Sequence, residues 1–209
     1  MKYDHIQLSA VLQFWFAELT PKQWFAGGEE LDAEITKRFA DIHTQVAAGE
    51  CWKLRTDAYS YLAEIIVLDQ FSRQVFRGSA QAFAYDGQAL LLAQHAIAAG
   101  YDTALTDDER MFLYLPFMHS ESKEIHEQAL VLFASLGKPE ALEYEQIHKD
   151  IIDQFGRYPH RNQTLGREST ASEIEYLEIR KRLSFKPLST PFGAGPGFCE
   201  NAERKYLIY

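Results

Sequence analysis

The sequence predicts an all-α protein with about eight short, antiparallel helices in a single domain. Apolar residues recur at spacings of three and four along most of the chain, which is the spacing of one helix face. Two capping boxes, Thr106–Glu109 and Thr170–Glu173, mark positions where helices begin. The sequence has no segment with the sustained apolar–polar alternation of a half-buried strand. These observations favour an α-hairpin array or an irregular bundle over a fold that contains a sheet.

The boundaries of the predicted helices come from apolar stripes, N-capping side chains and the Gly or Pro residues that end a helix. Thr56 or Asp57 can cap the third helix, and Asp86 can cap the fourth. Pro116 should end or kink the fifth helix, and Pro139 suits the first turn of the seventh. The predicted helices span 8–19, 35–46, 57–77, 88–99, 106–116, 122–136, 139–155 and 170–183.

The chain should form one helical domain over 1–183, followed by an irregular tail over 184–209. The tail contains several prolines and the stretch PFGAGPGF, which cannot continue a helix. It also contains Phe185, Phe192 and Phe198, which favour docking of the tail on the domain. The whole chain of 209 residues is 46% hydrophobic, enough for one sizeable core.

Composition also narrows the class of partner. With 21 basic and 30 acidic residues the net charge is −9, which disfavours nucleic acid and anionic membranes as partners. Cys51 and Cys199 form no metal-binding or redox pair, so free thiols in a reducing compartment are expected. The N-terminus does not resemble a signal peptide, and no apolar run has the length of a membrane span. A cytoplasmic protein is predicted.

The third predicted helix carries two charged side chains, Asp69 and Arg73, on the same face as its apolar residues. Because an isolated buried charge costs several kcal/mol, the two must be paired or hydrogen-bonded. One interpretation is a structural ion pair at positions i and i+4. The alternative is that Arg73 and Arg77 bind an anion in a cavity while Asp69 or Gln70 orients them.

A second concentration of charge lies in the loop after the seventh predicted helix. Arg157, His160, Arg161 and Arg167 occur within eleven residues that contain no acidic residue. Guanidinium groups suit carboxylate and phosphate, and backbone amides of the glycine turns could add further donors. The alternative is that these arginines only tie the loop to acidic helix ends.

Three further residues are candidates for acid–base chemistry. His119 and Glu121 follow Pro116 near a helix junction, where helix capping is favoured over a metal site because the spacing matches no zinc pattern. His148 falls within the apolar stripe of the seventh helix, where a core histidine is the more common outcome. The sequence has no nucleophile elbow, phosphate-binding glycine loop or kinase motif, so no cofactor or metal is predicted.

The segments LDQFSRQVFRGSAQAFAYD (68–86), LPFMHSES (115–122) and HKDIIDQFGRYPHRNQTLGREST (148–170) resemble the signature blocks of the domain-of-unknown-function 924 family. FWF at 14–16 and WF at 24–25 fit as well, and the resemblance runs from about residue 8 to about residue 183. It implies a bacterial helical protein similar to tetratricopeptide-repeat proteins but without regular repeats. The resemblance implies that the family's polar positions include all of the candidate residues named above, together with Asn162.

The functional hypothesis is a pocket for a small molecule that bears a phosphate or carboxylate group, in a protein that could be an enzyme. The alternative is an interaction module that grips an acidic peptide or a C-terminus. We expect the arginines of the third helix to converge in space with the basic loop. The candidate ligand-binding residues are Asp69, Gln70, Arg73, Arg77, Arg157, His160, Arg161 and Arg167, and the candidate catalytic residues are His119, Glu121 and His148.

Overall fold

The computed structural model describes the backbone of residues 5–185 and the side chains of residues 7–181, and within that range it contains helices and no strand. The all-α prediction is therefore confirmed. The predicted tail lies outside the described residues from position 186 onward. The α-helices are α1 (His5–Leu12), α2 (Pro21–Phe25), α3 (Glu29–Ala47), α4 (Ala58–Ile65), α5 (Ser72–Val75), α6 (Asp86–Ala98), α7 (Asp107–Met118), α8 (Lys123–Ala134), α9 (Pro139–Phe155) and α10 (Ala171–Phe185).

Two turns of π-helix interrupt the α-helical geometry. One, Gln13–Glu18, continues α1, and the other, Ile66–Phe71, joins α4 to α5 into one helix over 58–75. The N-terminus of this long helix follows the predicted cap, since the Asp57 carboxylate accepts a hydrogen bond from the backbone of Ser60 at 2.9 Å. The second π turn contains part of the predicted site, and such turns are frequent at functional sites.

Several helices differ from the sequence prediction, and α3 begins at Glu29, six residues before the predicted start. Helix α2 was not predicted, because its five residues are too few to show a helical period. Pro116 does not end α7, which continues to Met118 with Pro116 buried. Helix α10 continues two residues beyond the predicted boundary, to Phe185.

Consecutive helices pack on one another, with α6 on α7, α7 on α8 and α8 on α9, while α4 lies against α1, α6 and α7. This arrangement is consistent with a tetratricopeptide-like array. The main core centres on Trp15, which is fully buried and makes edge-on ring contacts with Phe71 and Phe112. A smaller apolar cluster contains Ile152 and Tyr158, beside the loop that follows α9.

Candidate functional site

A pocket of about 320 Å³ lies between the N-terminus of α6, the C-terminus of α7 and the loop after α9. Its lining combines apolar side chains with charged and titratable ones, including Phe83, Asp86, Pro116, His119, Glu121 and Arg161. Cavities of about 220 Å³ and about 760 Å³ lie elsewhere in the part of the chain that the structure describes, and neither is lined by a predicted site residue.

Asp69 stands behind this pocket, fully buried in the π turn. Its carboxylate accepts hydrogen bonds from Gln70 Nε2 at 2.5 Å and from His119 Nδ1 at 2.7 Å, and Arg73 Nη1 lies 3.2 Å from the same oxygen that His119 contacts. Burial acts to raise the pKa of Asp69, but Arg73 and His119 outweigh it and hold that pKa below its ordinary value. Asp69 is therefore an anion that orients the His119 ring.

Nδ1 of His119 is engaged by Asp69 and the side chain lines the pocket, so Nε2 is the ring nitrogen left for a ligand. Burial lowers the pKa of His119, and the nearby carboxylate of Asp69 only partly opposes that effect. At neutral pH the ring is consequently uncharged, with the Nδ1 proton donated to Asp69 and a lone pair on Nε2.

Asp86, at the N-terminus of α6, joins the two groups of basic residues. Its carboxylate lies 3.0 Å from Arg73 Nη1 through one oxygen, and its other oxygen accepts a hydrogen bond from Arg161 Nη1 at 3.0 Å. Arg73 also donates to the backbone carbonyl of Asp69 at 2.5 Å. Arg73 and Arg161 therefore meet at one carboxylate, although 88 positions in the chain separate them.

Arg161 is almost completely buried, with 4% of its surface exposed. Its guanidinium carbon lies 4.6 Å from the centroids of both the Phe83 ring and the Tyr158 ring, so the group makes cation–π contacts with two aromatic rings. Within the described part of the chain, its Nε and Nη2 atoms have no hydrogen-bond partner. Burial lowers the pKa of Arg161 while Asp86 opposes that effect, and the guanidinium stays charged at neutral pH.

Glu121 lies at the rim of the pocket and is held by three hydrogen bonds. Arg167 donates to its carboxylate from Nη1 at 2.6 Å and from Nη2 at 2.9 Å, and the backbone N–H of Tyr158 donates at 2.8 Å. Burial acts to raise the pKa of Glu121, but these donors leave it below its ordinary value. Glu121 is therefore an anionic anchor for the loop.

His148 and His160 both contact the Tyr158 ring, whose centroid is 5.7 Å from the first ring and 5.3 Å from the second. His148 Nδ1 donates to the backbone carbonyl of Tyr144 at 2.7 Å. Burial lowers the pKa of His148 to about 3, so this side chain is neutral under physiological conditions. It packs in the smaller apolar cluster as a core histidine does.

Two of the predicted arginines, Arg77 and Arg157, do not line the pocket. Arg77 is exposed and forms a two-pronged pair with Asp32 of α3, with distances of 2.5 and 2.8 Å. Arg157 forms the same kind of pair with Glu173 of α10, at 2.7 and 2.8 Å. Each of these two arginines therefore holds an acidic partner on a neighbouring helix that sequence spacing could not reveal, and the expected convergence of the basic groups stays a prediction for them.

Asn162 tightens the loop, since its side chain accepts from Arg167 Nε at 2.9 Å and donates to Ser169 at 3.1 Å, and it does not line the pocket.

The bridging role of Asp86 was not predicted, because its position in the sequence indicated only a helix cap. The aromatic faces of Phe83 and Tyr158 around Arg161 were not predicted either. The segment from 68 to 86 contained both Phe83 and Asp86, but no local spacing distinguished them from structural residues.

A buried hydrogen bond between a histidine and a serine was also not predicted. His43 Nε2 lies 2.8 Å from the Ser72 hydroxyl, and both side chains are buried. The hydroxyl donates to the carbonyl of Leu68 at 2.6 Å, so its proton is engaged and His43 must donate to the oxygen. This pair therefore stabilises the packing of α3 on the long helix and does not form an activated nucleophile.

The sequence matches the model of a family described as bacterial proteins of unknown function, DUF924, over residues 11–180. The chain belongs to this family. It is also similar to a solved structure, the protein of unknown function ATU0120 from Agrobacterium tumefaciens, with 38% sequence identity and a TM-score of 0.80. That similarity covers 84% of this chain and 98% of the other. No curated protein sequence matches the chain.

Among the described residues, no helix is long and apolar enough to cross a membrane.

Proposed function

We propose that this DUF924 protein binds a small molecule bearing a carboxylate or phosphate group, with Arg161 as the principal contact. The observation that carries the proposal is the free Nε–Nη2 edge of a buried guanidinium that lines a pocket. A buried donor without an acceptor costs about 1–3 kcal/mol, and more when it is charged. An anionic ligand would remove that cost.

Other arginines in the same chain indicate what this edge binds. Arg55, Arg77 and Arg157 each use Nε and Nη2 to hold both oxygens of one carboxylate, on Glu64, Asp32 and Glu173 respectively. Arg161 presents the same edge, and no carboxylate in the described part of the chain accepts from it. Two parallel N–H donors match the oxygens of a carboxylate or phosphate.

The proposed site therefore consists of Arg161, with Asp86 and Arg73 fixing its position and the Asp69–His119 pair beside it. We leave Arg77 and Arg157 out of this site because both already hold carboxylates. If the bound molecule is also transformed, His119 is the acid–base group that its geometry favours, ahead of Glu121 and His148. The net charge of −9 supports a small-molecule partner over nucleic acid or an anionic membrane. A cytoplasmic location is part of the same proposal.

The acidic-peptide hypothesis has weaker support. A peptide usually binds in an open groove or along an exposed element, whereas Arg161 is 4% exposed and the pocket measures about 320 Å³. A volume of that size suits a small ligand. A peptide could reach Arg161 only with a terminal carboxylate or a single side chain.

Thermal unfolding in the presence of acetate, benzoate, phosphate and sulfate tests the proposal. We expect at least one of these anions to raise the melting temperature in proportion to the logarithm of its concentration. The Arg161→Lys variant, which keeps the charge but loses the two-donor edge, should lose most of the shift. The exposed Arg77→Lys variant is the matched control and should keep it. Shifts of equal size in both variants would overturn the proposal.

A further inference from the structure

The charged side chains around the pocket are balanced before any ligand binds. There are three carboxylates and three guanidinium groups, which belong to Asp69, Asp86 and Glu121 and to Arg73, Arg161 and Arg167 respectively. Each carboxylate contacts at least one guanidinium group at 3.2 Å or less. With His119 neutral, these six side chains together therefore have no net charge.

An anion that binds to Arg161 would disturb this balance. It would leave one uncompensated negative charge among buried side chains, where an unpaired charge costs several kcal/mol. One additional proton would restore neutrality. The pocket must therefore either exclude anions or take up a proton with them.

His119 is the group positioned to accept that proton. Its Nδ1 already donates to Asp69, so a second proton on Nε2 gives an imidazolium with one N–H on the carboxylate and the other toward the pocket. His148 is less suitable, because its ring lies against Tyr158 and it does not line the pocket.

We infer that the pocket takes up a small monocarboxylate together with one proton from solvent, and that His119 Nε2 holds this proton against the bound ligand. The inference rests on the proposed function and narrows its ligand class. A monoanion plus one proton leaves the site neutral, whereas a dianion such as sulfate leaves a residual negative charge. His119 is therefore a specificity-determining residue of the site.

The groups that surround His119 determine when its ring accepts a second proton. The long helix contributes Asp69 and Arg73, α6 contributes Asp86, α9 contributes the neutral His148, and Arg161 lines the pocket from the loop. In the free protein, burial and Arg73 act against the charged ring. A carboxylate on Arg161 adds a negative charge that favours it, so ligand binding raises the pKa of His119.

Isothermal titration calorimetry with acetate and benzoate tests the inference, since both are ionised above about pH 6 while sulfate keeps a fixed double charge. Titrations at one pH, in buffers of different ionisation enthalpy, should reveal uptake of about one proton per bound carboxylate. The affinity should fall by about tenfold per pH unit between the free and ligated pKa values of His119. Sulfate should bind more weakly than either carboxylate.

The variants separate this inference from the proposed function. His119→Asn keeps an N–H for Asp69 but cannot titrate, so it should bind carboxylates at least about tenfold more weakly at pH 6 and without proton uptake. His95→Asn, an exposed histidine of α6, is the matched control and should behave as wild type. If His119→Asn does not fold, the NMR titration of His119 in wild type replaces it, and its pKa should rise on addition of benzoate.

Each outcome has a separate meaning. Carboxylate binding through Arg161 without proton uptake would overturn the inference and leave the proposed function intact. The inference also fails if sulfate binds as tightly as the carboxylates, or if the His119 pKa is unchanged by benzoate. No binding of any anion at pH 6 would overturn both.

Discussion

Arg73 contacts two acidic side chains, Asp69 and Asp86, and only 2% of its surface is exposed. Replacing it with alanine leaves Asp69 buried without its main cation. We therefore expect Arg73→Ala to lower the free energy of unfolding by about 3 kcal/mol. Urea denaturation followed by circular dichroism measures the change.

Arg77 provides the comparison at the other end of the same segment. It pairs with Asp32 through two hydrogen bonds, but the pair lies at the surface. Exposed ion pairs contribute about 0–1 kcal/mol, so Arg77→Ala should cost less than about 1 kcal/mol. Equal losses for the two variants would contradict the assignment of Arg73 to the buried network.

At the scale of an element, α10 is attached to the basic loop through its third residue. Glu173 accepts two hydrogen bonds from Arg157 and one from the backbone N–H of Thr170 at 2.7 Å, which completes the predicted capping box. The bonds from Arg157 lower the pKa of Glu173 to about 2. Protonation of this one side chain should therefore loosen the contact between the loop and α10.

Because the folded-state pKa of Glu173 is depressed, the stability that it contributes is present above about pH 4.5 and is lost as the pH falls through about 2. Glu173→Gln should be less stable than wild type at pH 6, and the difference should shrink as the pH falls toward 2. Urea midpoints of the two proteins at several pH values measure this convergence. A difference that is constant with pH would show that Glu173 acts without its charge.

The helices themselves illustrate what local sequence can reveal. The capping boxes at Thr106 and Thr170 and the cap at Asp57 depend on residues within three positions, so sequence was sufficient to place them. No local sequence signal marks the π turn at 66–71, whose six residues are all buried. The continuation of α7 past the buried Pro116 likewise has no signal in the neighbouring sequence.

At the scale of the whole molecule, the candidate site was predictable only in part. The face shared by Asp69 and Arg73 follows from helix geometry, so their pairing could be expected from the sequence. The meeting of Arg73 with Arg161 at Asp86 depends on three separate segments and on how α6 packs. For the same reason, no spacing could separate Arg161, which stacks in the interior, from Arg157, which pairs with Glu173.

The two apolar clusters raise the question of whether the molecule unfolds as one unit. The larger extends from Leu8 to Leu136, and the smaller holds Ile151, Ile152 and Tyr158. Hydrogen bonds connect the two clusters. The Tyr158 hydroxyl donates to the carbonyl of Met118, and the Glu121 carboxylate accepts from the backbone N–H of Tyr158 in the loop. Because the first of these bonds is buried and the second partly buried, we expect them to couple the clusters into a single cooperative domain.

The positions of the tryptophans make this expectation testable. Trp15, Trp24 and Trp52 all lie in the first quarter of the chain, so their fluorescence reports on the larger cluster, whereas circular dichroism reports on helices throughout. The two signals should give the same urea midpoint.

Glu121→Gln removes a charged acceptor of three hydrogen bonds and should lower the free energy of unfolding by about 2 kcal/mol. If the molecule is one unit, that loss shifts both signals equally, although Glu121 is far from the tryptophans in sequence. A shift in circular dichroism alone would mean that α9 and α10 unfold separately from the larger cluster.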